Sequence, residues 1–290
     1  MTLEQLRIFV AVAERGHMTR AAEALNLTQS GASAAVAALE ARHGVALFDR
    51  VGRGLQLSEA GRLFLPEAKA VLARARAAAE ALDDLAGLRR GTLRLAASQT
   101  VASYWLPARL AAFAHAYPAV SVNLSVGNTQ QVADQVLEGT VDMGFVEGAV
   151  DYARLDRVRV GGDRLSVYAA PGHPLLTREG VTPGDLAQAV WVMREPGSGT
   201  RSQFEARLEA FGLGLAVLNV LLELPSNEAV LAAVAGGGAL AAVSDLAAAP
   251  HVAAGRLARL DIDLVVRRFD RLTHHDRAPT RASAAFIALL

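Results

Sequence analysis

Three clusters of polar residues carry recognisable chemistry. Thr28, Gln29, Ser30 and Ser33 place one side-chain amide and three hydroxyls within a six-residue stretch. A Gln amide can pair bidentately with the major-groove edge of adenine, and small hydroxyls can meet phosphates or either type of base. Ser98, Gln99 and Thr100 form the second cluster, and Arg194-Glu195-Pro196-Gly197-Ser198-Gly199-Thr200-Arg201 the third. Both offer hydroxyls and backbone N–H groups, the donors that hold a small anion at a helix start, with Arg194 or Arg201 near by as charge compensation. Asn128, Thr129 and Glu147 add directional hydrogen-bonding capacity. An ionised Glu147 repels a polyanion unless it pairs with an arginine or with an amino group on the ligand. Ser and Thr at helix starts are also ordinary N-caps, so each cluster alone has a purely structural reading.

No catalytic set accompanies these residues. The chain has no cysteine, which removes disulfides, thiolate nucleophiles, CxxC metal sites and thiol redox sensing. Ser198 lies in P-G-S-G-T and not in a nucleophile-elbow G-x-S-x-G. The segment GSGTR lacks the lysine and spacing of a phosphate-binding P-loop, and Gly236-Gly237-Gly238 lacks the strand context of a dinucleotide fingerprint. His274-His275-Asp276 is a tempting metal cluster, but adjacent side chains of a strand point to opposite faces. No metal site, cofactor or enzymatic activity is expected.

The elements that must position the clusters follow from periodicity. Leu3, Leu6, Phe9, Val10 and Ala13 form one helical stripe, which Gly16 can end. Ala21, Ala22 and Leu25 form a second, and after a turn at Asn26, Ala32, Val36 and Leu39 form a third. Thr28 is placed as the N-cap of that third helix, with Gln29, Ser30 and Ser33 facing away from its stripe and Thr19 and Arg20 on the helix before it. Two apolar stretches, Val45–Phe48 and Leu55–Leu57, then flank Gly52-Arg53-Gly54 and predict a hairpin that carries Arg50 and Arg53 at its tip. The alternatives are an ordinary helical hairpin and solvated loop arginines.

From Ser58 to about Leu88 the apolar residues Phe64, Ala68, Val71, Ala75, Ala78, Leu82 and Leu85 step alternately by four and three. That seam predicts a rod of roughly 40 to 45 Å able to pair with a second copy, with Pro66 a possible early kink. Gly87 and Gly91 flank Arg89 and Arg90 and mark a hinge. Beyond it, short apolar runs at Leu93–Ala97, Val120–Val126, Val141–Val146, Leu165–Ala169, Val190–Met193, Val217–Leu222 and Leu240–Val243 alternate with helical patterns. This alternation predicts an α/β fold with largely parallel sheets, in which ligands sit at the carboxyl ends of strands.

Composition sets the outer bounds. At 290 residues and 52% hydrophobic content, the chain can build two or three domains. No opening signal segment and no apolar run of roughly 18 to 20 residues is visible, so a cytoplasmic protein without a membrane partner is expected. Net charge is zero, and residues 1–60 balance six arginines against six acids. Any contact with nucleic acid must therefore depend on where the arginines sit and on doubling the site.

Residues 1–65, in LEQLRIFVAVAERGHMTRAAEALNLTQSGASAAVAALEARHGVALFDR and RGLQLSEAG, resemble the winged helix-turn-helix of LysR-type transcriptional regulators. Members of that family often carry Arg, Lys or Gln just after the residue equivalent to Ser33, where this chain has Ala34, so base readout here rests more on Gln29, Ser30 and the wing. Residues 92–290 resemble the family's effector-binding half, similar in fold to periplasmic binding proteins of two α/β lobes. The resemblance implies two crossover strands near Gly161 and Leu264–Phe269, with the final stretch returning to the first lobe. It implies domains at 1–58 (DNA-binding), 59–88 (dimerisation helix) and 92–290, the last divided into a lobe of 92–161 with 267–290 and a lobe of 162–266. The segments SQT, FAHAYP, GNT, VEG and REPGSGTR look most like members that sense small anions or metabolites in sulfur, nitrogen or carbon assimilation. Expected partners are double-stranded DNA with dyad symmetry, a small anionic or metabolite effector, further copies of the chain as a dimer or tetramer, and RNA polymerase. The competing classes are a solute-binding protein, an enzyme on such a scaffold, and a coiled-coil scaffold protein.

Overall fold

The computed structural model describes residues 1–51, 54–85, 91–262 and 264–290, except for the side chains at 50, 51, 80, 81 and 83–85. It divides into two compact units, residues 1–88 with 137–140 and residues 89–136 with 141–290. Among the described residues no helix is long and apolar enough to cross a membrane.

The N-terminal unit begins with α1 (Leu3–Arg15), opened by a capping box between Thr2 and Gln5 and closed by Gly16 in the left-handed region. Helices α2 (Met18–Ala24) and α3 (Gln29–His43) follow, and Asn26 at φ 55° turns the chain between them. The stripe of α1 is wider than its sequence suggests. Leu6, Ile8, Phe9, Ala11 and Val12 are buried while Leu3 is exposed, because Ile8 and Val12 face α2 and α3 whereas Leu6 and Phe9 face the start of a later helix. Strands β1 (Phe48–Val51) and β2 (Gly54–Leu57) pair antiparallel and form the expected hairpin. Glu40 ties it down by accepting from the N–H groups of Leu47 (2.7 Å) and Phe48 (3.2 Å).

Helix α4 (Glu59–Leu85) starts where Ser58 accepts from the N–H of Gly61, and continues without a break through Pro66. Its first turns pack on α1 through Phe64 and Ala68. Farther along, Val71 is 42% and Leu82 68% exposed, so these seam positions have little cover among the described residues. The hinge residues Gly87, Arg89 and Arg90, the end of the helix expected at Leu88, and the side chain of Leu85 lie outside the described residues.

The C-terminal unit runs β3 (Gly91–Ser98), a short π-helix at Val101–Trp105, α5 (Leu106–Ala116), β4 (Val120–Gly127), α6 (Thr129–Glu138), β5 (Met143–Val146) and β6 (Leu155–Ala169). It continues with α7 (Pro183–Gln188), β7 (Val190–Arg194), α8 (Gly199–Ala210), β8 (Asn219–Leu224), α9 (Asn227–Ala235), β9 (Leu240–Ser244), α10 (Asp245–Ala253), β10 (Ala258–Arg259), β11 (Val265–His274) and α11 (Arg281–Ile287). The sheet order is β4-β3-β5-β11-β6-β9-β7-β8, with β10 also on β6. Strands β3, β4 and β5 are mutually parallel in one lobe, as are β7, β8 and β9 in the other. The expectation of largely parallel sheets needs one correction: the long pair β6 and β11 is antiparallel and joins the lobes. Periodicity gives no strand signal over residues 155–164 of β6, because LDRVRVGGDR is rich in charged residues and its side chains are mostly exposed; only the family resemblance points to a crossover near Gly161, which lies in β6 opposite Phe269 of β11. Strand β8 begins at Asn219 and not Val217, since Leu215–Val217 forms a 3-10 turn.

Each lobe has its own core. Leu93, Leu95, Phe113, Met143, Phe145 and Phe269 fill the first, together with Phe286 of the last helix, whose ring stands edge-on to Phe113. Leu165, Val167, Trp191, Phe204 and Leu240 fill part of the second, and Trp191 is fixed by donating to the Leu186 carbonyl at 2.8 Å.

In the N-terminal unit, Phe9 is fully buried between the rings of Phe48 and Phe64. Phe9→Ala should cost about 3–5 kcal/mol. Because both tryptophans, Trp105 and Trp191, lie in the other unit, the check is amide-exchange protection across residues 3–43; undiminished protection would contradict this account of the core.

Candidate functional site

In the N-terminal unit the structure exposes the polar face expected of α3. Thr28 caps the helix by accepting from the N–H of Gly31 at 3.1 Å, and Gln29 and Ser30 stand in solvent. Ser33 is half-buried, while Thr19 and Arg20 are exposed on α2. The buried counterpart of this face is small: Ala21, Ala22 and Ala32 have no exposed surface to speak of, which lets α2 and α3 cross closely. Leu55 of the hairpin donates its N–H to the Gly16 carbonyl at 3.0 Å, anchoring the wing beside α1. The Arg50 side chain and all of Arg53 lie outside the described residues.

The residues expected to hold a ligand converge between the two lobes of the C-terminal unit. Strand β3 ends at Ser98, whose hydroxyl donates to Oε2 of Glu147, the residue just beyond the end of β5. Glu147 is 3% exposed, and its Oε1 accepts from the Thr200 hydroxyl at 3.5 Å. Thr100, fully buried, accepts from the Asn227 side chain at 3.1 Å, and Gln99 accepts from the Asn227 N–H and donates to the Pro225 carbonyl. Asn128 reaches the Pro196 carbonyl, and the N–H of Gln130 reaches the Gly197 carbonyl. First-lobe side chains thus bond second-lobe helix starts at several points.

Two hydroxyls in this interface have no partner among the described residues. Thr129 at the start of α6 and Ser198 at the start of α8 are 4% and 2% exposed, and neither oxygen is hydrogen-bonded. Ser198 sits at the N-cap of α8 without making a cap bond, and Thr100 makes none either. The plain capping reading of these residues therefore does not describe them. Between them the backbones of Gly148 and Gly199 approach so closely that a Cβ on Gly199 would stand 2.5 Å from the Thr129 hydroxyl and 2.8 Å from the Gly148 nitrogen. Only glycine allows that approach.

The arginines are arranged differently from expectation. Arg194 forks onto Glu195 (2.7 and 2.9 Å) and donates to Oδ1 of Asn227 at 2.8 Å. Arg201 bonds Glu205 at 2.7 Å and Glu223 at 2.5 Å. Burial alone would lower the Arg201 guanidinium, but these two carboxylates outweigh it and hold it above its ordinary value. Neither arginine is thus a free countercharge for an anion. The cation that reaches the cleft hydroxyls is Arg267, fully buried, which forks onto Asp163 (2.8 and 2.5 Å) and donates to the Thr200 hydroxyl at 3.0 Å.

Sequence reasoning missed Asn227, Arg267 and Asp163. Asn227 opens α9 just after Ser226 caps it, a strand-to-helix corner that placing the end of β8 at Leu224 would have disclosed. Arg267 lies among Arg268 and Arg271 on a crossover strand, where no periodic signal separates the buried arginine from its exposed neighbours. The strand argument for His274 and His275 does not apply, because β11 ends at His274 and His275 lies in the following turn: His274 is buried and accepts from the Asp276 N–H, His275 is exposed, and their rings stand 3.9 and 3.1 Å from the Asp276 carboxylate. Burial, aided by Arg277, lowers the His274 pKa. No group of three metal-ligating side chains assembles among the described residues.

The comparisons with known proteins agree with this geometry. A family model for the bacterial regulatory helix-turn-helix protein, lysR family, matches residues 3–62, and one for the LysR substrate binding domain matches residues 86–290. The chain belongs to the LysR family of transcriptional regulators. It is 37% identical over 289 residues to the uncharacterized HTH-type transcriptional regulator YeiE of Escherichia coli strain K12, covering 99% of this chain and 96% of that one. Among solved structures, full-length CbnR complexed with its target DNA superposes with a TM-score of 0.68 at 24% identity, covering 100% of this chain and 98% of CbnR. The regulatory domain of CcmR from Synechocystis PCC6803, in complex with 2-PG, gives 0.63 at 27% identity over 69% of this chain and 95% of that domain. This LysR regulator therefore combines a DNA-binding winged helix-turn-helix with an effector-binding domain, and its relatives are regulators and not enzymes.

The buried pair at the crossover yields a stability prediction. Arg267→Ala leaves Asp163 buried without its counter-ion and should cost about 3–5 kcal/mol, whereas the double change Arg267→Met, Asp163→Leu should recover most of it. Urea unfolding followed by the fluorescence of Trp105 and Trp191 measures both; a loss below about 1 kcal/mol in the single variant would refute the buried-pair account.

Proposed function

We propose that this regulator binds a dyad-symmetric site through paired α3 helices and answers to a small anion or carboxylate held between the lobes of residues 92–290. The observation that supports the effector site best is the pair of unpartnered buried hydroxyls, Thr129 and Ser198, at two helix starts that meet across the Gly148 and Gly199 contact. Helix starts favour negative charge, and buried hydroxyls without a partner favour a ligand that supplies one. Ser98, Gln99, Thr100, Asn128, Thr129, Glu147, Arg194, Ser198, Gly199, Thr200 and Arg201 form the site. Arg194 and Arg201 shape it through Asn227 and the Arg194 carbonyl and do not touch the ligand as free charges.

On the DNA side, Gln29, Ser30 and Ser33 read bases, while Thr19, Arg20, Thr28, Arg50 and Arg53 position the unit on phosphates. The domain division is 1–58, 59–88 and 92–290, with lobes of 92–161 plus 267–290 and of 162–266. The exposed seam at Val71 and Leu82 supports pairing of two α4 helices, since an apolar stripe on an uncovered helix gains stability from a partner. Dimers of this kind assemble further into tetramers, act in the cytoplasm and meet RNA polymerase at the promoter. Closure of the lobes around the effector shifts the population of DNA-bound arrangements.

Two variants test the two halves. Thr100→Ala and Ser198→Ala should each abolish a ligand-induced rise in apparent stability, screened with sulfate, phosphate, nitrate and small carboxylates, while leaving promoter retention intact. An unchanged response in both would sink the cleft assignment. Gln29→Ala should weaken specific binding by about 1–3 kcal/mol without altering its salt dependence; a changed salt slope with preserved specificity would make Gln29 a phosphate contact.

A further inference from the structure

The identity of the hydrogen-bonding protons around Glu147 restricts the ligand further than the cleft alone. Thr200 has one hydroxyl proton, and its oxygen already accepts from Arg267, so that proton points to Glu147. The proton of Ser98 also goes to Glu147. These two hydroxyls therefore spend their donors on the carboxylate, leaving Thr129 and Ser198 as unpartnered hydroxyls. A carboxylate has about four lone-pair sites, so two donors leave Glu147 with acceptor capacity.

No cation among the described residues cancels Glu147. Arg194 is forked onto Glu195, Arg201 onto Glu205 and Glu223, and Arg267 onto Asp163; among the described residues none stands within ion-pair distance of Glu147. Thr129, Ser198 and Glu147 nevertheless belong to one small region. Gly148 follows Glu147 directly and Gly199 follows Ser198, and these two glycines touch each other beside the Thr129 hydroxyl.

Resting on the effector reading above, we infer that Glu147 is the specificity-determining residue of the cleft: it selects a small oxyanion that still carries a proton, accepting a hydrogen bond from that proton while Thr129 and Ser198 serve the charged oxygens. A fully deprotonated oxyanion of the same shape brings only acceptors. One of its oxygens would face the carboxylate, with two like charges in contact and no proton between them. A built hydrogen-bonding site rejects an isostere lacking the required proton far more strongly than an apolar pocket rejects a change of size.

Matched pairs make the test direct. Purified full-length protein is titrated near neutral pH with inorganic phosphate against sulfate, and with bicarbonate against nitrate, by calorimetry and thermal shift. The member that keeps a proton should bind at least about 100-fold more tightly than its partner. Glu147→Gln, which turns one acceptor into a donor, should bring that ratio below about 10-fold by admitting sulfate or nitrate. Equal binding of the two members by the native protein, or undiminished selectivity in Glu147→Gln, overturns the inference and leaves the cleft assignment standing. No binding of any of the four overturns the protonated-oxyanion class itself, and a response confined to carboxylates then keeps the cleft reading alone. The comparison within the native protein needs no variant, so a poorly folded Glu147→Gln does not blunt the test.

Discussion

The buried ion pair between Arg267 and Asp163 is the contact on which the C-terminal unit turns. The two residues lie directly opposite each other on the antiparallel strands that join the lobes, and both side chains are at most 2% exposed. Such a pair repays its desolvation only when every remaining donor is satisfied. Here the third arm of the guanidinium is satisfied by Thr200 at the start of α8, and Ser244 completes the shell by donating to Asp163. From Thr200 the chain of hydrogen bonds runs on to Glu147 and to Ser98 in the first lobe. The crossover is thus wired to both walls of the cleft through polar contacts. Hydrogen bonds can be exchanged for bonds to a ligand with little net loss, whereas close-packed apolar contacts cannot be separated without a cavity cost.

The N-terminal unit solves a different problem with different chemistry. Its three helices must meet closely enough to leave α3 protruding, and alanines at 21, 22 and 32 make that possible without cavities. A second layer of larger residues, Leu6, Phe9, Leu39 and Leu47, then fixes α1 against the start of α4. This layer couples the reading face to the helix that carries the exposed seam. Gly61 of α4 admits no side chain, because a Cβ there would fall 2.1 Å from the Leu47 carbonyl oxygen, so the wing and α4 are set in one rigid arrangement. Net neutrality of the unit places the burden of DNA attraction on a few arginines, not on a broad basic field.

The parts of this architecture legible in the sequence were those with strong local signals. Capping by Thr28 and Ser58, termination at Gly16, the turn at Asn26 and the strand starts at β7 and β9 follow from side-chain chemistry or periodicity confined to a few residues, whereas β3 starts two residues early, at Gly91, which reads as part of a hinge. The hydroxyl clusters were found because strand-to-helix corners are where an α/β sheet exposes N–H groups. What could not be read was partnership across long separations. Arg194 and Arg201 read as candidate countercharges because sequence shows a cation near an anion site, but not that Glu195, Glu205 and Glu223 already hold them. Arg267 and Asp163 are separated by more than a hundred positions, and only strand register brings them face to face. Asn227 escaped for a simpler reason: the strand before it is shifted by two residues.

A buried carboxylate in a cleft lined with helix starts looks at first like a contradiction, and the relative sizes of the two effects resolve it. A helix N-terminus favours an anion by about 0.3–1 kcal/mol, rising to about 2 in partly buried geometry. Two unit charges about 4 Å apart at an effective dielectric near 20 repel by about 4 kcal/mol. The starts of α6 and α8 together are therefore roughly matched by one uncompensated Glu147, so electrostatics alone makes the cleft close to indifferent to anions. Hydrogen bonding then decides. A proton placed between Glu147 and the ligand converts the repulsive contact into a charge-assisted bond of about 1.5–3 kcal/mol, and the ligand's remaining charge lies on oxygens farther from Glu147, where the repulsion is weaker and the helix starts act on it. With the neighbouring arginines tied to their own carboxylates, no other charge among the described residues tips that balance, so in the proposed site this single side chain would govern which anions bind.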